Sequence, residues 1–162
     1  YSLAYALCSL KYKHRDFDLL VLHELGHAFH QQGGLTMQRL WMQELFSNIM
    51  LHTYIAENEP SNLPVLEVFP EMIVAAGTSG YKFTTLDDFE KQYNKMSPKN
   101  YSWYQCRIHI AAKNIYNAGG QETFVKLWKG LKENKEKMTD EQFASLLNKK
   151  VHCDVAKIQT DW

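Results

Sequence analysis

Residues 21–30 read VLHELGHAFH, and the His23-Glu24-Leu25-Gly26-His27 inside them constrains the fold more than any other stretch. On an α-helix, residues four apart are rotated by about 400°, so His23 and His27 share one face about 6 Å apart along the axis. Their imidazoles can converge on a single ion. Glu24, about 100° round from His23, then stands beside that ion rather than on it. The flanks Val21, Leu22, Ala28 and Phe29 are apolar, which predicts a partly buried helix where unpaired His and Glu would be costly. With this content of His and Glu, chance produces the pattern in roughly two such chains per hundred.

An imidazole pair of this kind suits zinc, and a catalytic zinc site uses three protein ligands plus a water. The third ligand must come from elsewhere. A third His at HExxHxxGxxH is excluded, because His30 stands where Gly is needed and Gly33 where His is needed. A carboxylate on a following helix is the other solution. From Thr36 to about Glu57 the spacing of Met37, Leu40, Trp41, Leu45, Ile49 and Ile55 predicts such a helix. Within it Leu40, Glu44, Asn48, Leu51 and Ile55 form one stripe, so Glu44 interrupts an otherwise apolar face. A buried carboxylate needs a partner, and a zinc ion is a sufficient one. Glu57, Glu59, Glu67 and Glu71 are rivals, but they fall at a helix end, in a Pro-flanked turn or on a separate segment. Asn48, one turn beyond Glu44, is spaced to accept a hydrogen bond from the far nitrogen of a zinc-bound imidazole. A helix-packing Asn fits the sequence equally well.

The rest of the chain reads as helices. Asp16 or Asp18 is the expected cap of the first, which runs to about Gln31 and stops at Gly33-Gly34. Further helices are predicted over 64–76 and 85–96, then over 102–117, stopped by Gly119-Gly120, and over 121–134. Two more follow over 139–150, opened by the capping signature TDEQ, and over 154–161. The aromatic and aliphatic YSLAYALCSL at residues 1–10 suits a short N-terminal β-strand better than a helix. The expected class is therefore mainly α, a helical bundle with room for that one strand.

Composition narrows the function classes. At 162 residues and 45% hydrophobic content, residues 1–162 have the size of a single domain able to bury its own core. The first residue is Tyr, so the expectation is a processed product or a piece of a longer chain. Basic and acidic side chains number 18 each, and the densest run, KGLKENKEK at 129–137, mixes signs, so nothing predicts a nucleic-acid groove or an anionic membrane surface. No apolar run reaches the roughly 20 residues a membrane span needs, and no targeting segment is visible, which leaves the compartment open. Cys8, Cys106 and Cys153 are widely spaced and without CxxC pairing. That disfavours a disulfide framework or a thiolate zinc site and favours small buried hydrophobes, with one bridge open in an oxidising compartment.

Three pieces of sequence together resemble a known family: HELGH, then LWMQELFSN at 40–48, then YQCRIHIAAKNIYNAGGQETFVKLW from Tyr104. They are similar to the gluzincin metallopeptidases, in particular the catalytic domain of zinc aminopeptidases of the membrane-alanyl and leukotriene-hydrolase type, and more distantly thermolysin. The tail MTDEQFASLLNKKVHCDVAKIQTDW resembles the end of that domain. The link of sixteen residues between His27 and Glu44 is shorter than in the family. Cys106-Arg107 stands where the family has Lys-Gly, and no GxMEN segment precedes HELGH. The resemblance implies a thermolysin-like zincin fold with one Zn²⁺ held by His23, His27 and Glu44, and Glu24 as general base to a metal-activated water. It implies Tyr104, matched by its distance from Gly119, as oxyanion donor, with His109 in reserve. The substrate would be a peptide or protein, bound against an additional N-terminal domain. The competing expectation is a non-enzyme, a helical domain that keeps zinc for stability or binds peptide without cutting. Its discriminator is whether the fourth zinc position is open to water or filled by a side chain such as His30 or His52.

Overall fold

The computed structural model describes the backbone from Arg15 to Trp162 and side chains from Leu19 onward. The strand expected over residues 1–10, and Cys8, lie outside the described residues. Among the described residues there are seven α-helices and no strand: α1 (Arg15–Gln32), α2 (Leu40–Asn58), α3 (Leu63–Ala75), α4 (Leu86–Gln92), α5 (Pro98–Glu133), α6 (Asp140–Leu146) and α7 (Cys153–Lys157). The protein is mainly helical, as its periodicity predicts. None of these helices is long and apolar enough to cross a membrane.

Several boundaries move for identifiable reasons. Arg15 is already helical, so Asp16 and Asp18 fall in the first turn of α1 rather than ahead of it. α2 starts at Leu40 instead of Thr36, and Arg39 gives it no side-chain cap. The predicted stop at Gly119-Gly120 is a break between two arms of α5, where Gly120 takes φ 59° and ψ −160°, a conformation open to glycine. The capping signature at Thr139 forms as expected, its side chain accepting from the Gln142 backbone while Gln142 reaches back. Cys106 is buried as expected, but Cys153 is exposed, and both are free thiols.

α2 is the central element. Its Trp41, Met42, Leu45, Phe46 and Ile49 pack with Trp103, Tyr104, Ile108, Ile115 and Leu127 of α5, and with Phe89, Phe143 and Val155 from the surrounding shorter helices. Burying each large side chain of this kind contributes roughly 1.5–3 kcal/mol. At the far end of α2 a smaller cluster of Leu51, Ile55 and Leu66, with Leu19 and Leu22 against it, ties in α1 and α3. Most of the inward face of α2 is thus fixed from the α5 side, and α1 lies across the polar remainder.

The segment from Tyr81 through α4 is pinned to the same frame. Asn100 Oδ1 accepts from the Lys82 and Phe83 amides at 3.1 and 3.0 Å, and its Nδ2 donates to the Phe83 carbonyl at 2.7 Å. Trp162 Nε1 donates to the Thr84 carbonyl at 2.7 Å. Phe89, fully buried, anchors α4 in the core. Glu90 Oε1 accepts from the Trp41 amide at 2.9 Å, so α4 supplies the cap that α2 lacks.

Candidate metal centre

The HELGH segment lies within α1, and Gly26 sets how closely that helix meets α2. A Cβ built at Gly26 would sit 2.8 Å from Ser47 Cα, a distance real Cβ atoms do not reach. The absent side chain lets the backbones approach, and the approach brings His23 and His27 onto Glu44. Both imidazoles are largely covered, with side chains 12% and 19% exposed, and Glu44 is 1% exposed.

His23 Nε2 lies 3.3 Å from Glu44 Oε2, His27 Nε2 lies 3.5 Å from the same oxygen, and the two Nε2 atoms are 3.1 Å apart. Zinc bound at about 2.0–2.1 Å by three donors in a tetrahedral arrangement would set those donors about 3.3–3.4 Å from one another. The observed triangle has that size. Its donor set, two imidazoles and one carboxylate, is a chemistry zinc accepts, and the three residues fit the ion. Among the described residues the other group with metal-ligand chemistry is His152, Cys153 and Asp154, neighbours in sequence at the start of α7. There His152 Nδ1 already accepts from the Asp154 amide.

Glu44 is held from every side. Tyr93 donates to its Oε1 at 2.5 Å, and Gln105 Nε2 donates to its Oε2 at 2.7 Å. Burial pushes the carboxyl up, but His23, His27, Tyr93 and Gln105 together outweigh burial and hold it well below the usual carboxylate range. The contact with Glu44 in turn pushes His27 up against its own burial. The rival carboxylates are engaged elsewhere: Glu57 accepts from Tyr116, Glu59 from Asn62, and Glu67 and Glu71 pair with Lys113.

His30 takes a role that the sequence reading had offered to Asn48. His27 Nδ1 lies 3.4 Å from His30 Nε2. His30 is buried, and burial lowers its pKa, so its Nε2 is placed to share one proton with His27 Nδ1 in a hydrogen bond whose direction follows the tautomer. That contact leaves His27 Nε2 facing His23 Nε2 and Glu44 Oε2. Neither His30 nor His52 joins the three-donor group. The signal for His30 was present as its three-residue spacing from His27 on one helix face.

Asn48 does bind an imidazole, but a different one. Its Nδ2 donates to the Glu44 carbonyl at 2.9 Å and to Gln105 Oε1 at 3.3 Å, so its Oδ1 must accept, from His109 Nδ1 at 3.2 Å. His109 therefore carries its proton on Nδ1. Burial, with repulsion from His52, His23 and Lys113, pushes its pKa down to about 3. A neutral His109 with its proton spent on Asn48 has none to give an oxyanion.

Tyr104 is also not at the centre. It is fully buried, and its hydroxyl donates to the Thr85 carbonyl at 2.7 Å, at the cap of α4. One turn earlier, Tyr101 stands at the centre instead. Its hydroxyl oxygen accepts from Gln105 Nε2 at 2.7 Å, and the hydroxyl also hydrogen-bonds with Glu44 and Tyr93. A cleft of about 340 Å³ opens here, lined by His23, Glu24, Tyr101, Gln105 and His109, with apolar walls that include Leu66 and Phe69. Glu24 is exposed on this cleft.

The chain matches no protein-family model, no curated protein and no solved structure among those compared.

Proposed function

We propose that this chain is a zinc-dependent peptidase domain of the gluzincin type, aminopeptidase-like in its motifs and thermolysin-like in fold. One observation carries the reading: three donors from His23, His27 and Glu44 at tetrahedral spacing, beside a cleft that Glu24 shares with His23. Zinc bound there would supply a Lewis acid for a water and for a peptide carbonyl. Glu24 takes the proton of the attacking water and delivers it to the leaving amine nitrogen as the carbon–nitrogen bond breaks. Tyr101, whose hydroxyl lies on the cleft, turns its proton from Glu44 to the oxygen of the tetrahedral intermediate, the role the family resemblance had offered to Tyr104. Gln105 orients both Tyr101 and Glu44, through two bonds of 2.7 Å from one nitrogen.

The test is metal analysis of the purified protein together with digestion of a mixed peptide library read by mass spectrometry. One equivalent of zinc and defined cleavage positions are expected. Glu24→Gln should keep the zinc and lower turnover by about 100-fold or more. Unchanged turnover in that variant would sink the mechanism. Zinc without any cleavage would instead favour a domain that binds peptide and does not cut it.

A further inference from the structure

Glu44 offers a bound ion one oxygen or two, and the choice decides whether a coordination position is left over. Oε2 is the oxygen within 3.5 Å of both imidazole nitrogens, whereas Oε1 accepts the Tyr93 hydroxyl at 2.5 Å. We propose that Tyr93 is a positioning residue for this centre: by occupying Oε1 it holds Glu44 to coordination through Oε2 alone and so keeps the fourth position open. The inference rests on the zinc reading above.

The placement of Tyr93 is set from outside both ligand helices. It sits in the 3₁₀ turn Tyr93–Lys95 that follows α4. Its ring packs edge-on against Phe89 and Tyr101, at centroid distances of 5.2 and 6.1 Å. α4 is fastened at its start, where Thr85 takes the Tyr104 hydroxyl. It is fastened to α2 through Glu90 at Trp41, one turn before Glu44. The separation of the Tyr93 hydroxyl and the Glu44 carboxylate is therefore fixed by a strut between the start of α2 and the turn after α4. For Oε1 to swing onto an ion, that hydrogen bond must break. Gln105, donating to Oε2 from the α5 side, opposes the same rotation. Tyr104, which reaches no reacting group, contributes to the centre through this strut.

The experiment compares wild type with Tyr93→Phe, which keeps the ring packing and removes only the hydroxyl. Zinc affinity is measured by chelator competition, and coordination number by the visible absorption of the Co²⁺-substituted protein, whose bands are strong for four ligands and weaken for more. Wild type should show the strong four-coordinate bands. Tyr93→Phe should bind zinc about 10- to 100-fold more weakly, and its Co²⁺ bands should weaken as the second oxygen joins. Equal affinity and equal spectra would overturn the proposal, as would weaker binding with an unchanged spectrum. A wild-type Co²⁺ spectrum of five or six ligands would overturn it without reference to how the variant folds. Wild-type protein that takes up no zinc would overturn the metal reading, and this inference with it.

Discussion

His23 Nε2 and Glu44 Oε2 stand 3.3 Å apart across a sequence separation of 21 residues, on two helices that meet at Gly26 and Ser47. Because each would supply one corner of the same coordination triangle, Glu44→Ala should release zinc from the purified protein. Zinc at 100 times its dissociation constant should stabilise wild type by about 2.7 kcal/mol and leave the variant unmoved. Metal content and thermal unfolding with and without zinc measure both. A variant that still holds one equivalent would place the ion elsewhere.

Tyr101 and Tyr104 lie one turn apart on α5 and have opposite fates. The Tyr101 oxygen accepts from Gln105 at the cleft, while Tyr104 spends its proton on the Thr85 carbonyl inside the core. Tyr101→Phe should therefore lower kcat by about 10²–10³-fold, the usual loss for one oxyanion donor, with zinc retained. Tyr104→Phe should cost about 0.5–1.5 kcal/mol of stability by removing one hydrogen bond, since the Thr85 carbonyl keeps the Phe89 amide, with the chemical step little changed. Steady-state kinetics and denaturant unfolding of the two variants decide between them. The reverse pattern would restore Tyr104 to the site.

The two imidazoles and Glu44 were legible because helical spacing and one polar break in an apolar stripe are local properties of sequence. Tyr93, Gln105 and Tyr101 were not, since each reaches Glu44 only through the docking of α4 and α5 on α2, at separations of 49 residues for Tyr93 and 61 for Gln105. Tyr104 was chosen by its distance from Gly119. Such a count fixes the helical turn but not which of two tyrosines, three residues apart, faces the cleft. Asn48 was read as suited either to the far nitrogen of a zinc-bound imidazole or to helix packing, and its helix face presents it to His109, not to His23 or His27. The helices themselves were readable from caps and periodicity. α2 started late because its cap comes from Glu90, a contact no local signal encodes.

Gly26 tests whether the centre depends on close helix approach. A methyl group there meets Ser47 Cα at 2.8 Å, which is backbone and cannot rotate aside. Gly26→Ala should force α1 outward, cost about 1–3 kcal/mol as an overpacked contact, and weaken zinc binding as His23 and His27 leave Glu44. On propensity alone the same change would stabilise a helix by up to about 1 kcal/mol. Thermal unfolding and zinc titration read the sign directly, and a stabilised variant with unaltered affinity would show that the approach is not limiting.

His109 gives the fold a pH dependence of definite sign. Burial, joined by the charges of His52, His23 and Lys113, pushes its pKa down to about 3, whereas an unfolded histidine titrates near its ordinary value of 6.5. Between those values the unfolded chain binds the extra proton, so stability rises with pH. The contribution is complete above about 6.5 and is lost as pH falls towards 3, with a gradient of up to about 1.4 kcal/mol per pH unit. His30 and His52, also lowered by burial, act in the same direction, and His27, raised by Glu44, acts against them. These three are common to wild type and His109→Gln, a variant that keeps an N–H for Asn48 Oδ1 and cannot titrate. Denaturant unfolding of the metal-free proteins at pH 7 and pH 5 should therefore show wild type losing about 1–2 kcal/mol more than the variant. Equal losses would mean that His109 protonates in the folded state as freely as in the unfolded chain, and the neutral tautomer assigned to it would be wrong.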